Sequence, residues 1–246
     1  MTTRAEFLAG VRGEMAKTRG LFPARPSARP GHPREAAQVV RRQLAERWPE
    51  ALERFRAEFE RIAGVFHRVP SLAEVPAAIA RIAAEKGARE VVGWEAGALG
   101  WDLSAALSPL GLTVWPAPAG EGEDDRLRHR EEAARAPLGI TGVDWALAET
   151  GTLILATGPG RPRSTSLLPD THVAVFGPGH LVESLEQVGL LLEALHADGG
   201  LGVRGGMINF ITGPSRTADI ELTLTRGVHG PKEVHAVFVD TLGGPA

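Results

Sequence analysis

Between Gly213 and Pro231 the chain reads GPSRTADIELTLTRGVHGP, a stretch that sets a hydroxyl, guanidinia, two carboxylates and an imidazole among glycines and prolines. Asp219 and Glu221 alternate with Ile220 and Leu222, so an extended backbone would put both carboxylates on one face. Such a pair can bind a metal, share a proton or clamp a basic partner. Arg216, three residues before Asp219, offers the plainer use of an internal ion pair that fastens the loop without a cation, and no metal is expected. Ser215 adds a hydroxyl, Asn209 lies on the apolar run just upstream, and His229 sits in GVHGP, where glycines permit close backbone approach. A histidine held there can serve as acid or base. The eight histidines include no HxxxH or HExxH spacing, which argues against a catalytic zinc site.

Two further segments carry polar groups at strand ends. In AETGTL, Gly151 and Thr150 suit a tight turn, while Glu149 is either a solvated turn residue or a strand-end carboxylate facing a ligand. In GPGRPRSTSLLPDTHV, Arg161 and Arg163 precede Ser164, Thr165 and Ser166 directly after an apolar run. Such a loop can cradle a phosphate or carboxylate with guanidinium, hydroxyl and backbone N–H groups, though it lacks the spacing of a P-loop. A surface loop is the equally open alternative, and His172 beyond it reads as a satisfied core histidine.

The elements around these segments follow from periodicity. Ala5, Leu8, Val11 and Met15 mark a short amphipathic helix. Pro23, Pro26, Pro30 and Pro33 then exclude regular structure, leaving an exposed linker or an arm that packs on a neighbouring subunit of a homo-oligomer. From Val40 through Leu44, Trp48, Leu52, Phe55, Phe59, Ile62 and Phe66 every apolar step is three or four, with Pro49 expected to divide the segment into two helices. Ser71 and Glu74 have capping-box spacing for a third helix to Lys86, which Gly87 stops. An N-terminal helical extension over 1–70 is therefore expected before an α/β domain over 71–246.

In that domain REVVGW, LTVWPA, DWALA, TLILAT, HVAVFG, MINFIT and EVHAVFVD are short apolar runs. They alternate with helical patterns at Ala98–Leu110, Asp125–Ala136 and Leu181–His196, which predicts an α/β fold with a mostly parallel, Rossmann-like sheet covered on both faces. Glu149-Thr150-Gly151 is too short for a crossover, so the strands it joins must form an antiparallel hairpin. Net charge is −3, which gives no general attraction to nucleic acid or anionic membrane. No apolar run approaches the roughly 18 residues of a membrane span, and the charged first turns do not resemble a signal peptide, so a cytoplasmic protein is expected. There is no cysteine, hence no disulfide, no thiol nucleophile and no cysteine-held iron–sulfur cluster in this chain.

Taken together, AETGTL, the serine-bearing loop before His172-Val173, GPSRTADIE and GVHGP resemble the lactate-utilisation protein C family, whose defining unit is the LUD domain. The similarity covers roughly Ala84 to Asp240. It implies a fold of the glucosamine-6-phosphate deaminase, ribose-5-phosphate isomerase and CoA-transferase superfamily, which admits the antiparallel hairpin. It also implies a part in oxidising L-lactate to pyruvate beside iron–sulfur partner proteins. Lacking cysteine, this chain would be a non-redox subunit with no cofactor of its own. The motif positions carried over are Glu149, Thr150, Gly151, Ser215, Arg216, Asp219, Glu221 and His229, none of them assigned a catalytic step. With Arg163, Ser164, Ser166 and Asn209 they make the candidate ligand-binding set, expected near a crevice outside the carboxyl ends of the strands. The alternative is a free-standing enzyme on a sugar phosphate or acyl-CoA.

Overall fold

The computed structural model describes residues 3–17, 31–120, 122–197, 207–218 and 224–242. These form two compact units, residues 1–31 and 32–246. The first contains helix α1 (Arg4–Lys17), none of whose residues is buried. The proline-rich stretch from Pro23 to Pro30 lies outside the described residues.

Helix α2 (Pro33–Arg61) opens the second unit and runs unbroken through Pro49. This corrects the expected division at Pro49. Proline there removes one helical hydrogen bond, yet Leu44 on one side and Ala51, Leu52, Phe55 and Phe59 on the other are all buried, so packing holds both halves in one line. Strand β1 (Val65–Val69) follows, then a single 3-10 turn and helix α3 (Val75–Glu85). Ser71 is extended at the start of that turn and its side chain makes no cap bond, because Pro76 sets the helix start three residues later than a Ser71 cap implies. Gly87, at φ +61°, ends α3 as expected.

The chain continues through β2 (Glu90–Gly93), α4 (Ala96–Leu99), α5 (Leu103–Leu107), β3 (Thr113–Pro116), α6 (Glu123–Arg135) and β4 (Leu138–Thr141). Then come β5 (Trp145–Leu147), β6 (Thr152–Ala156), α7 (Ser164–Leu167), β7 (Thr171–Phe176), β8 (Leu181–Val182) and α8 (Leu185–Ala197). The last strands are β9 (Ile208–Ile211), β10 (Arg216–Ala218), β11 (Leu224–Arg226) and β12 (Glu233–Val239).

The main sheet has the order β1-β12-β7-β4-β2-β3 and is parallel at every pairing. The chain steps from β2 outward to β3, then returns to β2's other side as β4, so a topological switch lies between β2 and β4. The expected antiparallel hairpin is present as β5 and β6, but in a separate sheet of order β8-β5-β6-β9. Side-chain alternation along β12 explains the layering. Val237 and Val239 join one core cluster with α3 and α5, while Ala236 and Phe238 join another with α2 and the second sheet.

The second cluster is aromatic. Phe55 lies 5.3 Å from both Phe59 and Phe176, and Phe176 lies 5.5 Å edge-on to Phe238. Burying each ring stabilises by roughly 1.5–3 kcal/mol. Gly151 seals this layer from the other side: a Cβ there would sit 2.4 Å from the backbone nitrogen of Phe59, at a φ of +62°. The turn thus lies directly on α2, and only glycine permits it. Gly189 in α8 has nothing within 4 Å of its would-be Cβ. Gly151→Ala is expected to cost about 1–3 kcal/mol in urea unfolding through overpacking and strain. Gly189→Ala should stabilise by about 0.5–1 kcal/mol; equal effects of the two would contradict the turn-on-helix contact.

Candidate functional site

Beyond β6 the chain turns at Gly158–Arg161, with Gly160 at φ +67° and its carbonyl accepting the amide of Glu95 at 2.9 Å. Arg161 then enters the protein. Its guanidinium lies 4.3 Å over the ring of Trp94 and pairs with Asp144, which is 2% exposed. Asp144 Oδ2 also accepts the amide of Ala156 at 2.6 Å, and Trp94 donates its Nε1–H to the carbonyl of Pro162 at 3.4 Å. Trp94 follows β2 and Asp144 follows β4, so this clamp fills the switch-point crevice at the carboxyl ends of the strands with the chain's own loop.

From that anchor the loop runs back across β4. The carbonyl of Thr165 packs on Gly139, where a Cβ would stand 1.9 Å away, and Thr165 Oγ1 meets His129 Nε2 at 3.0 Å. This places Arg163 and Ser166 over a cleft of about 480 Å³ between β9, the 229–231 turn and α7. The 213–231 loop is folded by Ser215: its amide donates to Pro231, its carbonyl accepts from Gly227, and its hydroxyl accepts the His229 amide at 3.3 Å. Asn209 reaches the Leu155 carbonyl at 3.5 Å.

Arg163, Ser166, Asn209, Ser215 and His229 therefore share one cleft, together with Thr212. Its wall carries Arg163 and no aspartate or glutamate among the described residues. Leu167 and Pro231 lie four and two residues before the first residues of β7 and β12, so the cleft opens at the amino ends of the main sheet. That corrects the expected carboxyl-end crevice, which Arg161 occupies.

The other candidates are placed differently. Glu149 accepts the amide of Leu185 at 3.0 Å and caps α8. Thr150 joins a chain of hydroxyls through Thr152 (2.7 Å) to Thr212 (2.8 Å), which links the AETGTL turn to the cleft rim. Ser164 opens α7 beside the cleft and is not part of its wall. Arg216 lies in β10, opposite Arg226 in the register. Asp219 and Glu221 fall outside the described residues. Sequence reasoning missed Asp144 and Trp94, whose only signal was an acid and a large ring placed directly against apolar runs.

Burial keeps the histidines beneath this region neutral. His172, bonded to Thr141 Oγ1 at 2.8 Å, is pushed down to about 3 by burial and, less, by His235. His129 is pushed down to about 4 by burial. His67, 3.0 Å from His235 on the neighbouring strand, is also lowered to about 4, mainly by burial and then by His235.

With this geometry in place, comparison with known proteins is decisive for the family: the LUD domain matches residues 52–239. The chain belongs to the LUD-domain family. Its relatives include a lactate utilization protein C of Halalkalibacterium halodurans, 39% identical over 165 residues, which are 66% of this chain and 68% of the relative. One of Exiguobacterium is 45% identical over 113 residues (46% and 48%), and one of Shouchella clausii is 36% identical over 155 (63% and 64%). The match thus spans between about half and two thirds of these relatives' length. A DUF162 family protein from Deinococcus radiodurans shares the fold, at TM-score 0.54 and 24% identity over 78% of this chain and 98% of that one. The LUD match begins inside α2 and takes in the clamp, the cleft and the hydroxyl chain.

Two outcomes follow for this LUD-domain chain. Asp144→Ala strands a buried guanidinium and is expected to cost about 3–5 kcal/mol in denaturant unfolding; a loss under about 1 kcal/mol would show that the pair fixes nothing. The histidines give a pH dependence. The unfolded chain takes up protons below the ordinary value of 6.5, whereas folded His129 and His172 resist until about 4 and 3. Stability is therefore greatest above 6.5 and falls as pH drops through that window. Melting curves between pH 7.5 and about 4 should show this slope, and His129→Gln, which keeps a side-chain bond to Thr165 without titrating, should make it shallower.

Proposed function

We propose that this protein is a non-redox component of an L-lactate utilisation system, binding a small carboxylate in the amino-end cleft beside partners that carry iron–sulfur clusters. The relatives named for lactate utilisation support the system. The absence of cysteine supports a role other than electron carriage through cysteine-held clusters. The observation that carries the ligand reading is the convergence of Arg163, Ser166, Asn209 and Ser215 on a cleft with no acidic wall residue among the described residues. A carboxylate there would take charge-assisted bonds from Arg163 and neutral ones from the hydroxyls and the amide, with the exposed His229 at the mouth as a proton donor.

A second reading has its own support. At about 480 Å³ the cleft is in the size range of clefts that take cofactor-sized molecules, which suits the sugar phosphates and acyl-CoA compounds handled by enzymes of the fold superfamily that the motifs resemble. Calorimetric titration separates the two. Lactate and pyruvate are expected to bind the native protein and to bind Arg163→Ala at least about tenfold more weakly, the loss of one charged hydrogen bond. Binding of phosphate alone would favour the second reading, and equal lactate affinity in both proteins would remove Arg163 from the site. Affinity purification from the native host should bring down iron–sulfur proteins; a lone protein that turns over substrate would refute the subunit role.

A further inference from the structure

At the other end of the main sheet lies a second recess, of about 420 Å³. Arg41, Leu44, Ala45 and Trp48, spaced as one face of α2, form one wall. Trp145, Leu181 and Leu191 form the opposite side. Its rim is the Pro178–Gly179 turn after β7 and Leu242 after β12, so it opens outside the carboxyl ends of two central strands, a usual place for ligands in open α/β sheets. The amino-end cleft shares no residue with it.

Apart from backbone, Arg41 and the indole N–H groups of Trp48 and Trp145, the lining is carbon. Three of the other arginines of α2 pair with carboxylates, Arg47 with Glu183, Arg56 with Glu60 and Arg61 with Glu58, and Arg42 donates to the Gln38 carbonyl. Arg41 has Ala37, Gln38, Leu44 and Ala45 at the helical spacings where an acid would answer it, and makes no ion pair among the described residues. One uncompensated cation on the wall of an apolar recess asks for one negative charge on an apolar body. Polyphosphates need several cations, and a three-carbon acid brings little carbon to bury against leucine and indole.

We propose that this recess binds a monocarboxylate with an extended aliphatic or aromatic body, the body between Trp48 and Trp145 and the carboxylate on Arg41. The site is separate from the cleft assigned to the small carboxylate, so each can fail without the other. The indole rings in the wall supply the readout. Sodium octanoate, octanol and sodium lactate are titrated against the native protein, Arg41→Gln and Ala45→Phe, and tryptophan emission is followed. Position 45 is solvent-exposed, so the phenylalanine narrows the recess without entering the core.

Octanoate should give a saturable change in the native protein, at least about tenfold weaker in Arg41→Gln, the worth of one charge-assisted bond. It should be lost in Ala45→Phe, and lactate should give no change. Octanol should bind the native protein no better than octanoate binds Arg41→Gln. Equal affinity of octanoate and octanol for the native protein, unchanged octanoate affinity in Arg41→Gln, or the absence of saturation would overturn the proposal.

Discussion

The pairing of Asp144 with Arg161 sets the course of the loop on which the amino-end cleft depends. Two charges taken from water cost several kcal/mol each, and their attraction repays this only with good geometry and further hydrogen bonds. Here Asp144 also accepts the Ala156 amide, and the guanidinium lies over the ring of Trp94. The pair fixes a path more than it adds stability. It closes the crevice between β2 and β4, and it starts the loop on a course that brings Arg163 and Ser166 to the opposite end of the sheet. An α/β sheet of this order would ordinarily hold its ligand at the switch point; in this chain a side chain holds that place.

A second constraint couples the two sheets. Helix α2 is long because both of its halves are buried, and the β5–β6 turn can lie on its backbone because residue 151 has no side chain. The glycine of AETGTL is therefore a packing residue, and the glutamate beside it caps α8. The threonines of the same motif are different, since their hydroxyl chain ends at Thr212 on the rim of the cleft. One short motif thus joins helix, second sheet and cleft wall, so its residue types are fixed by contacts that are mostly structural.

What was legible in the sequence follows from these contacts. Strands β5, β6, β7 and β12 read as apolar runs because they are buried on both faces. Strand β1 was hidden: Phe66 continues the three- and four-residue rhythm of α2, and nothing local shows that Ala63, at φ +66°, has already broken the helix. Strand β4 is four residues containing Gly139, whose missing side chain makes room for Thr165 and also weakens the strand signal. In the cleft, Arg163, Ser166, Ser215 and His229 were legible because polar side chains among glycines and prolines have no core to join, and Asn209 because it interrupts an apolar run. Their end of the sheet was not. It depends on Asp144, which alone in DWALA looks like an ordinary residue before a strand and becomes a clamp only when Arg161 reaches it from 17 residues away.

The charge pattern carries the same logic one step further. The chain as a whole is at −3, yet neither the amino-end cleft nor the carboxyl-end recess has an aspartate or glutamate in its described wall, and each has an arginine. At physiological ionic strength the field of an exposed charge decays over about 8 Å, so neither arginine draws anions from a distance against a weakly acidic surface. Selection has to occur at contact, by the shape and hydrogen bonds around each cation. In the cleft the polar neighbours are hydroxyls and an amide, beside Met207 and Phe210, and the proposed small carboxylate would have to be held by those polar groups. In the recess the neighbours are indole and leucine, which reward a carboxylate only if it brings carbon to bury.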